Sequence, residues 1–346
     1  MLGSEMYLLL GAAAVLGTAA TWLNRAAAVR FGFVNAPNPI IPQHTRPVAH
    51  LGGIGVAFTA AVGLAVAVLL HRQGIAFKDL DPLRVGVFLL PGLGFLVLGT
   101  VDDLKVYSPQ KKFLVQLILA AGAVGLGHWA LGLRYPFTGV LPLDLALSVF
   151  WIVAVVNALN LTDVCDGLVG GLSVVMLVGW AHFDPTSAPI AMAVAGGCLG
   201  FLVFNSPPAS IFLGDAGSHF LGYSAAMLTL PGLPAEGNLT WVRPIQMALF
   251  VGVPIFEVVL LVIVRRRKGL APWRGSPDHF SLRLQAAGLS KWQTDGVAYS
   301  AAVFFCTAAF LLGFLAWPGR IAVLAAAALF VGVCWKLIQR WEVAPK

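Results

Sequence analysis

The sequence has 346 residues, of which 59% are hydrophobic and only 11% are charged, and its formal net charge is +7. A water-soluble domain needs more polar side chains than this to cover its surface, so the composition excludes a soluble fold and indicates a chain that lies in a bilayer. Only α-helices and closed barrels satisfy their backbone hydrogen bonds in hydrocarbon, and apolar runs of about 17–23 residues without period-two alternation indicate helices.

These runs predict an all-α, polytopic transmembrane bundle in which residues 1–346 form one integral-membrane domain. Several runs are short or rich in glycine, so ten spans is an open alternative to eleven. The eleven predicted spans are residues 6–23, 51–70, 85–101, 113–131, 140–158, 168–183, 189–205, 219–233, 242–264, 295–317 and 320–338.

The basic residues predict the orientation of the bundle. With the N-terminus outside, 16 of the 22 Lys and Arg residues fall on the inner side, as the positive-inside rule requires, and the C-terminus is cytoplasmic. The positive net charge then reflects orientation against anionic lipid rather than nucleic-acid binding. The inner segments are residues 24–50, 102–112, 159–167, 206–218 and 265–294, with the C-terminal tail.

The first acidic motif, VDDLKVYSPQKK, follows the third predicted span. Its paired carboxylates, Asp102 and Asp103, can bind a divalent cation or act as a base at the membrane surface. Lys105 and Lys112 offer positive charge to a phosphorylated ligand. A polar loop with helix-capping aspartates explains the same motif equally well.

In the second motif, NALNLTDVCDGLVGGLS, polar side chains recur at every third position, namely Asn157, Asn160, Asp163 and Asp166. Neighbouring members of this series share a face if the segment is helical. Such a polar stripe at the end of an apolar helix is costly in hydrocarbon. Helix capping explains one aspartate but not the four residues together, which favours a functional site.

The third motif, NSPPASIFLGDAGSHFLG, places Asp215 between glycines at the start of a predicted helix. The N–H groups of such a helix end suit phosphate oxygens, and a carboxylate there can hold Mg²⁺. The alternative is that Asp215 or Ser218 only caps the helix.

The fourth region, residues 265–294, combines a polybasic run with Asp278, His279 and Arg283, which are candidates for anion binding or proton relay. Glu257, inside the ninth predicted span, is either functional or a structural partner within the bundle. His44, in the first inner loop, is more simply explained as a solvated side chain.

Taken in order, these motifs resemble those of the polyprenyl-phosphate N-acetylhexosamine-1-phosphate transferases, a family of multi-span membrane enzymes, from about residue 30 to residue 290. GFVNAPNPIIPQHTRPVAHLGG is similar to the family's first inner loop and VDDLK to its paired-aspartate motif. NALNLTDVCDGLVGG is similar to its Asn/Asp helix, FLGDAGS to its third acidic motif and SPDHFSLRL to its terminal histidine motif.

The resemblance implies an enzyme of the bacterial inner membrane that transfers a sugar-1-phosphate from a UDP-sugar to undecaprenyl phosphate and releases UMP, with its active site on the cytoplasmic face. It implies dependence on Mg²⁺, with Mn²⁺ as an alternative, and it allows a homodimer. The implied site residues are Asp102, Asp103, Asp163 and Asp166 as catalytic groups, Asp215 and Asp103 as metal ligands, and Asn157, Asn160, Phe212, His279, Arg283, Lys105 and Lys112 as substrate-binding groups.

Among the binding groups, the resemblance implies that Phe212 contacts the uracil and that His279 and Arg283 lie at the sugar-phosphate. The sequence also departs from the family. Val164 stands where Gly is usual, and His279 is alone because Ser281 and Leu282 follow where relatives show further histidines.

Two further branches of interpretation stay open. LVGGLS and the short SPD motif favour the N-acetylglucosamine type of enzyme, with the phospho-N-acetylmuramoyl-pentapeptide type as the alternative. A secondary transporter or a non-catalytic relative is the alternative of another class. Transporters usually place charged residues near the bilayer midplane in two related halves, whereas the acids here lie at span ends on one side.

Overall fold

The structure is a computed structural model that describes residues 2–35, 47–105, 107–133, 135, 137–230, 241–271 and 273–343. These residues form thirteen helices and one small antiparallel sheet of two strands, which confirms the predicted all-α, polytopic architecture. His44 lies outside the described residues, as does much of the first inner loop.

The elements, in chain order, are α1 (Ser4–Phe31), β1 (Val34–Asn35), β2 (Val48–Ala49), α2 (Gly52–Arg72), α3 (Pro82–Lys105), α4 (Pro109–Leu131), α5 (Leu141–Thr162), α6 (Leu168–Phe183), α7 (Ala188–Asn205), α8 (Gly214–Thr229), α9 (Val242–Phe250), α10 (Gly252–Arg267), α11 (Phe280–Ala286), α12 (Lys291–Phe314) and α13 (Trp317–Gln339).

A helix or a helix pair occupies each predicted span, but fewer of them are long enough to cross a bilayer. Among the described residues, eight helices meet the length and composition of a span, or nine if α9 and α10, which are bent by 82°, count as one. The predicted number of ten or eleven spans is therefore too high by this criterion. The helices α6 and α8 have 16 residues each and reach only about 24 Å, against a hydrocarbon core of about 30 Å.

Both short helices are apolar because they pack against other helices. Nearly every residue of α8 is buried, and so is most of α6. Hydropathy alone does not distinguish a helix that faces lipid from one that faces protein, which explains the difference between the predicted and the observed number of spans.

Glycines bring the helices of the bundle into backbone contact. Gly17 of α1 lies against Gly197 and Gly200 of α7, and Gly53 of α2 lies directly against Gly217 of α8. Gly99, in α3, lies against the backbone of residue 215 at the start of α8. Small residues allow such close approach in membrane bundles. The contacts of α8 bring the ends of α2 and α3 together around its first turn.

A short backbone ladder fixes the segment that leads into α8. The N–H of Phe212 donates to the carbonyl of Ala49 at 2.8 Å, and the N–H groups of Gly52 and Gly53 donate to the carbonyls of Phe212 and Leu213 at 2.8 and 2.9 Å. The segment from residue 211 to residue 213 is therefore held against the start of α2, although more than 150 residues separate them in the chain.

The contact between α3 and α8 gives a prediction about stability. A methyl group on Gly99 would overlap the backbone of α8, whereas one on Gly86, in the same helix, would meet nothing within 4 Å. Gly99→Ala should destabilise the purified protein by about 1–3 kcal/mol through overpacking. Gly86→Ala should be neutral or stabilising by up to about 1 kcal/mol. Thermal unfolding in detergent measures both, and equal melting temperatures for the two variants would contradict the packing described.

Candidate active site

Asp103, in the last turn of α3, holds the first turn of α8. Its carboxylate accepts the backbone N–H of Asp215 at 2.8 Å and that of Ala216 at 3.0 Å. The first N–H groups of a helix have no partner within the helix, so a carboxylate from another helix is a favourable acceptor. The imidazole Nε2 of His50 also donates to Asp103, at 3.0 Å. Asp103 thus joins α3, α8 and the segment before α2.

Lys112 connects the other two acidic side chains of this region. Its Nζ lies 2.8 Å from Asp102 and 2.5 Å from Asp215. Its position follows from the start of α4, where Ser108 is the N-cap and Pro109 the first residue, which places Lys112 in the first turn. One ammonium group therefore lies between carboxylates of α3 and α8. Lys105, at the exposed end of α3, lines neither of the two polar cavities described below.

Asn160, in the last turn of α5, completes the surroundings of Asp215. Its side-chain amide donates to Asp215 at 2.8 Å and to the hydroxyl of Ser218 at 3.0 Å. Asn157, one turn earlier, donates instead to Gln116 of α4 at 2.7 Å. The two asparagines of the predicted stripe therefore contact different partners, and Asn160 is the one that touches the acidic centre.

The acidic side chains border a polar cavity of about 230 Å³ at one end of the bundle. Among its lining residues are His50, Asp103, Asn160, Asp163, Phe212 and Asp215. Five of these six side chains are polar. Five of the six, all except His50, are candidate site residues from the sequence. The six residues come from four of the predicted inner segments, and the structure brings these segments together.

The electrostatics of the cavity are dominated by negative charge. Burial and the negative charges of Asp215 and Asp103 raise the pKa of the Asp163 carboxyl to about 8, although the neighbouring His50 acts to lower it. Burial would lower the pKa of His50, but the hydrogen bond to Asp103 and the neighbouring carboxylates raise it above its usual value. The cavity therefore favours cations, protons among them.

A second and larger cavity of about 700 Å³ adjoins the same side chains. Its polar lining includes Asp102, Lys112 and Asn160, and its apolar lining includes Phe113 and Leu161. Asn160 lines both cavities. An amphiphilic molecule with an anionic head fits such a lining, because the ammonium of Lys112 lies at one part of the wall and hydrocarbon at another.

Asp166 lies apart from both cavities, although it is only three residues from Asp163. It is buried, and it accepts hydrogen bonds from Lys291 of α12 at 2.7 Å and from the N–H of Ala209 at 3.2 Å. The described residues that line the two cavities do not include it. The predicted catalytic stripe is therefore divided, with Asp163 at the cavity and Asp166 against α12.

His279 and Arg283 belong to a separate buried cluster. The Nδ1 of His279 lies 2.6 Å from Glu257 of α10, and Arg283 donates to Asp278 at 2.8 Å. Lys268 pairs with the same Asp278 oxygen at 2.7 Å. Burial would raise the pKa of Asp278, but the hydrogen bonds from Lys268 and Arg283 lower it below its usual value. The intramembrane Glu257 thus has a structural partner.

This cluster is near the cavity but does not line it. The lining residues of the described part of the chain include neither His279 nor Arg283. The link is Cys165, which lines the cavity and whose sulfur accepts a hydrogen bond from Gln285 of α11 at 3.1 Å. The predicted contact of His279 and Arg283 with substrate stays a prediction.

Sequence analysis missed four polar side chains of this region. Asn35, His50 and Asn205 line the cavity, and Lys291 pairs with Asp166. His50 and Asn205 lie within the motifs PVAHLGG and NSPP, so the glycine and proline signals beside them mark the backbone turns that bring them to the site. Lys291 could not be identified in this way, because its partner, Asp166, lies 125 residues away in the chain.

The chemistry of the lining residues fits a magnesium ion. Mg²⁺ is usually held by one or two carboxylates together with water and substrate phosphates. Asp163 and Asp215 both line the cavity, and a divalent cation would relieve the repulsion that raises the pKa of Asp163. The described part of the chain contains no group of three His, Cys, Asp or Glu arranged as a complete metal site. The ion would therefore need water or phosphate as further ligands.

These features define a polytopic helical membrane protein with an acidic, cation-favouring cavity at one end of its bundle. A family model for glycosyl transferase family 4 matches residues 85–232, which run from the first turn of α3 past the end of α8 and include most of the cavity lining. The chain belongs to this family of membrane-embedded transferases.

Individual relatives extend the similarity over most of the chain. A probable undecaprenyl-phosphate N-acetylglucosaminyl 1-phosphate transferase of Bacillus subtilis is 34% identical over 298 residues, which cover 82% of this chain and 78% of the relative. A phospho-N-acetylmuramoyl-pentapeptide-transferase of Lactobacillus johnsonii is 31% identical over 263 residues, covering 70% and 77%. The protein of the same description from Deinococcus radiodurans is 35% identical over 230 residues, covering 62% and 70%.

The raised pKa of Asp163 gives a prediction about stability and pH. The unfolded chain ionises this group near pH 4, whereas the folded, metal-free protein keeps its proton up to about pH 8. The contribution of Asp163 to stability should therefore decline as the pH rises from about 5 to about 8. In a chelating buffer, the melting temperature of Asp163→Asn should fall less over this interval than that of the wild type. Equal slopes for the two proteins would contradict the raised pKa.

Proposed function

We propose that this protein transfers an N-acetylhexosamine-1-phosphate from a UDP-sugar to undecaprenyl phosphate and releases UMP, as the first membrane step of a cell-envelope polysaccharide pathway. The observation that supports this most strongly is the cavity in which Asp103, Asp163 and Asp215 face one polar space. The descriptions of the bacterial relatives name the same type of reaction.

The net reaction exchanges one phosphorus–oxygen bond for another. An oxygen of the lipid phosphate bonds to the phosphorus next to the sugar, and the bond from that phosphorus to the bridging oxygen breaks. UMP leaves with that oxygen and its electron pair. Both reactants are anionic, so catalysis depends mainly on positioning and on positive charge that offsets their repulsion.

We assign Asp163 and Asp215 as the residues that would hold Mg²⁺, with Mn²⁺ as the alternative. When bound, the ion would neutralise the diphosphate and stabilise the leaving UMP. Asp103 then acts mainly by holding the first turn of α8, since its oxygens accept the N–H groups of residues 215 and 216. Lys112, between Asp102 and Asp215, offers positive charge in the wall of the larger cavity.

The two cavities suit the two substrates. The smaller one, with Phe212 in its wall, is proposed to hold the nucleotide, whose uracil would contact the phenyl ring. The larger one, with Phe113 and Leu161 beside Lys112, is proposed to hold the lipid phosphate and the first part of its isoprenoid chain. Because Asn160 lines both, the acceptor phosphate and the diphosphate would meet beside it.

The type of sugar is part of the proposal, and the comparison of relatives supports it. The N-acetylglucosaminyl relative of Bacillus subtilis covers 82% of the chain, and the muramoyl-pentapeptide relative of Lactobacillus johnsonii covers 70%. This difference and the LVGGLS sequence after Asp166 support N-acetylglucosamine-1-phosphate as the transferred group. The muramoyl-pentapeptide reaction is the second candidate, and a panel of UDP-sugars scored for lipid-linked product separates the two.

The orientation is part of the proposal. The inner segments, the C-terminal tail and the last turn of α13 hold 16 of the 22 basic residues, which supports a cytoplasmic active site, an external N-terminus and a cytoplasmic C-terminus in the bacterial inner membrane. UDP-sugars are available on that side. A secondary transporter would be expected to bind its substrate near the bilayer midplane, whereas Asp163 follows the last residue of α5.

Replacement of Asp215 tests the proposed reaction. Asp215→Asn keeps the size of the side chain but removes the charge that would hold Mg²⁺, so UMP release from UDP-N-acetylglucosamine with undecaprenyl phosphate should fall by at least about 100-fold. Chelation of divalent cations should abolish wild-type turnover, and added Mg²⁺ should restore it.

Asp144→Asn is the matched control for this variant. Like Asp215, Asp144 is an aspartate that accepts hydrogen bonds, here from Thr138 and Gly139, but it lies in the first turn of α5, at the opposite end from Asn160. Its activity should stay within about twofold of the wild type, because it lies about 25 Å along the helix from the site. If the folded wild-type protein turns over no UDP-sugar, the proposed function is wrong.

A pair of lysine variants tests the role of Lys112. Lys112→Met removes the ammonium between Asp102 and Asp215, so kcat/KM should fall by about 10- to 100-fold. Lys105→Met removes the same charge from the exposed end of α3 and should leave kcat/KM nearly unchanged. Steady-state kinetics in detergent measures both, and an equal loss in the two variants would argue against a local role for Lys112.

A further inference from the structure

Three side chains on one face of α12 contact the loop that carries Asp163. Lys291, Asp295 and Tyr299 follow one another at intervals of four residues, so they share one side of the helix. We call these three residues the α12 clamp. The loop, residues 163–167, joins α5 to α6 and is more than 120 residues away in the chain.

Two members of the clamp hold the far end of the loop directly. The ammonium of Lys291 lies 2.7 Å from Asp166, which is buried. The hydroxyl of Tyr299 donates to the carbonyl of Gly167 at 2.7 Å, and its ring packs so closely on Gly171 that a methyl group there would overlap it. The end of the loop and the first turn of α6 are therefore fixed to α12.

Asp295 supplies a second carboxylate beside the same contacts. It is 2% exposed, and neither of its oxygens has a hydrogen-bond partner among the described residues. Gly167 has a φ of +78°, and a methyl group on it would lie 2.8 Å from Asp295. Asp166 and Asp295 are thus two buried carboxyl groups beside the contacts of α12 with the end of the loop.

This arrangement is costly as a means of stability alone. Burying charged groups carries a desolvation penalty, whereas burying apolar side chains is favourable, and oxygens without hydrogen bonds add to the penalty. Apolar side chains would join α12 to α6 at lower cost. Charged residues are retained where a specific geometry is needed, and the nearest feature that needs one is Asp163, four residues before Gly167 and at the cavity.

We propose that Lys291, Asp295 and Tyr299 are positioning residues, which set the place of the 163–167 loop and thereby of Asp163 at the cavity. The expected effect on kinetics rests on the proposed function, whereas the expected effect on the position of the loop does not. It also extends the site beyond residues 85–232, which the family model matches, because α12 begins at Lys291.

The test compares two tyrosines. Tyr299→Phe removes the hydroxyl that donates to Gly167, and Tyr135→Phe removes a hydroxyl that donates to the carbonyl of Val124 at 2.9 Å, away from the loop. Both hydroxyls bond a backbone carbonyl, so the two variants lose the same type of hydrogen bond. We expect Tyr299→Phe alone to speed amide hydrogen exchange in residues 163–171 and to lower kcat/KM by about tenfold.

The lysine supplies the second arm. Lys291→Met should lower kcat and also cost some stability, because it leaves the buried Asp166 without its cation, and Lys291→Arg should restore most of both, because the charge on Asp166 is again paired. Unchanged exchange in residues 163–171 of Tyr299→Phe, or equal activity of Lys291→Met and the wild type, would overturn the inference. If the wild type releases no UMP, the proposed function fails, while the exchange measurement still decides whether the clamp positions the loop.

Discussion

Two hydrogen bonds from the backbone of α8 to Asp103 join the acidic ends of α3 and α8, and the geometry of the site depends on them. A helix that begins inside a membrane protein exposes N–H groups that neither lipid nor its own turn can satisfy. A carboxylate from α3 meets this need and also lies favourably at the positive end of the helix dipole. Gly99, four residues earlier, allows the two backbones to approach closely enough.

Several features of the site follow from this junction. Once α8 starts beside the end of α3, Asp215 in its first turn lies within reach of Lys112, which also pairs with Asp102. Asn160 reaches the same carboxylate from α5. The acidic centre is therefore assembled from helix ends, where side chains leave the hydrocarbon but the backbone is still held by the bundle.

Much of this centre could be predicted, because charge is scarce in a membrane sequence and each carboxylate requires an explanation. The paired aspartates, Asp163 and Asp215 were identified in this way, and the structure brings them together. The sequence pattern could not show which of Lys105 and Lys112 lies at the acidic site, because this depends on where α4 begins. The positions of His279 and Arg283 depended on partners from other helices, which no local spacing reveals.

The spacing of three residues between Asp163 and Asp166 illustrates the limit most clearly. A continuing helix would have put both on one face, but α5 ends at Thr162, and Gly167 adopts a left-handed conformation that turns the chain into α6. Asp163 therefore lines the cavity while Asp166 meets Lys291. One short polar run thus serves two purposes, since its first carboxylate faces the reaction space and its second anchors the loop to α12. The helix end separates them, and only tertiary structure reveals it.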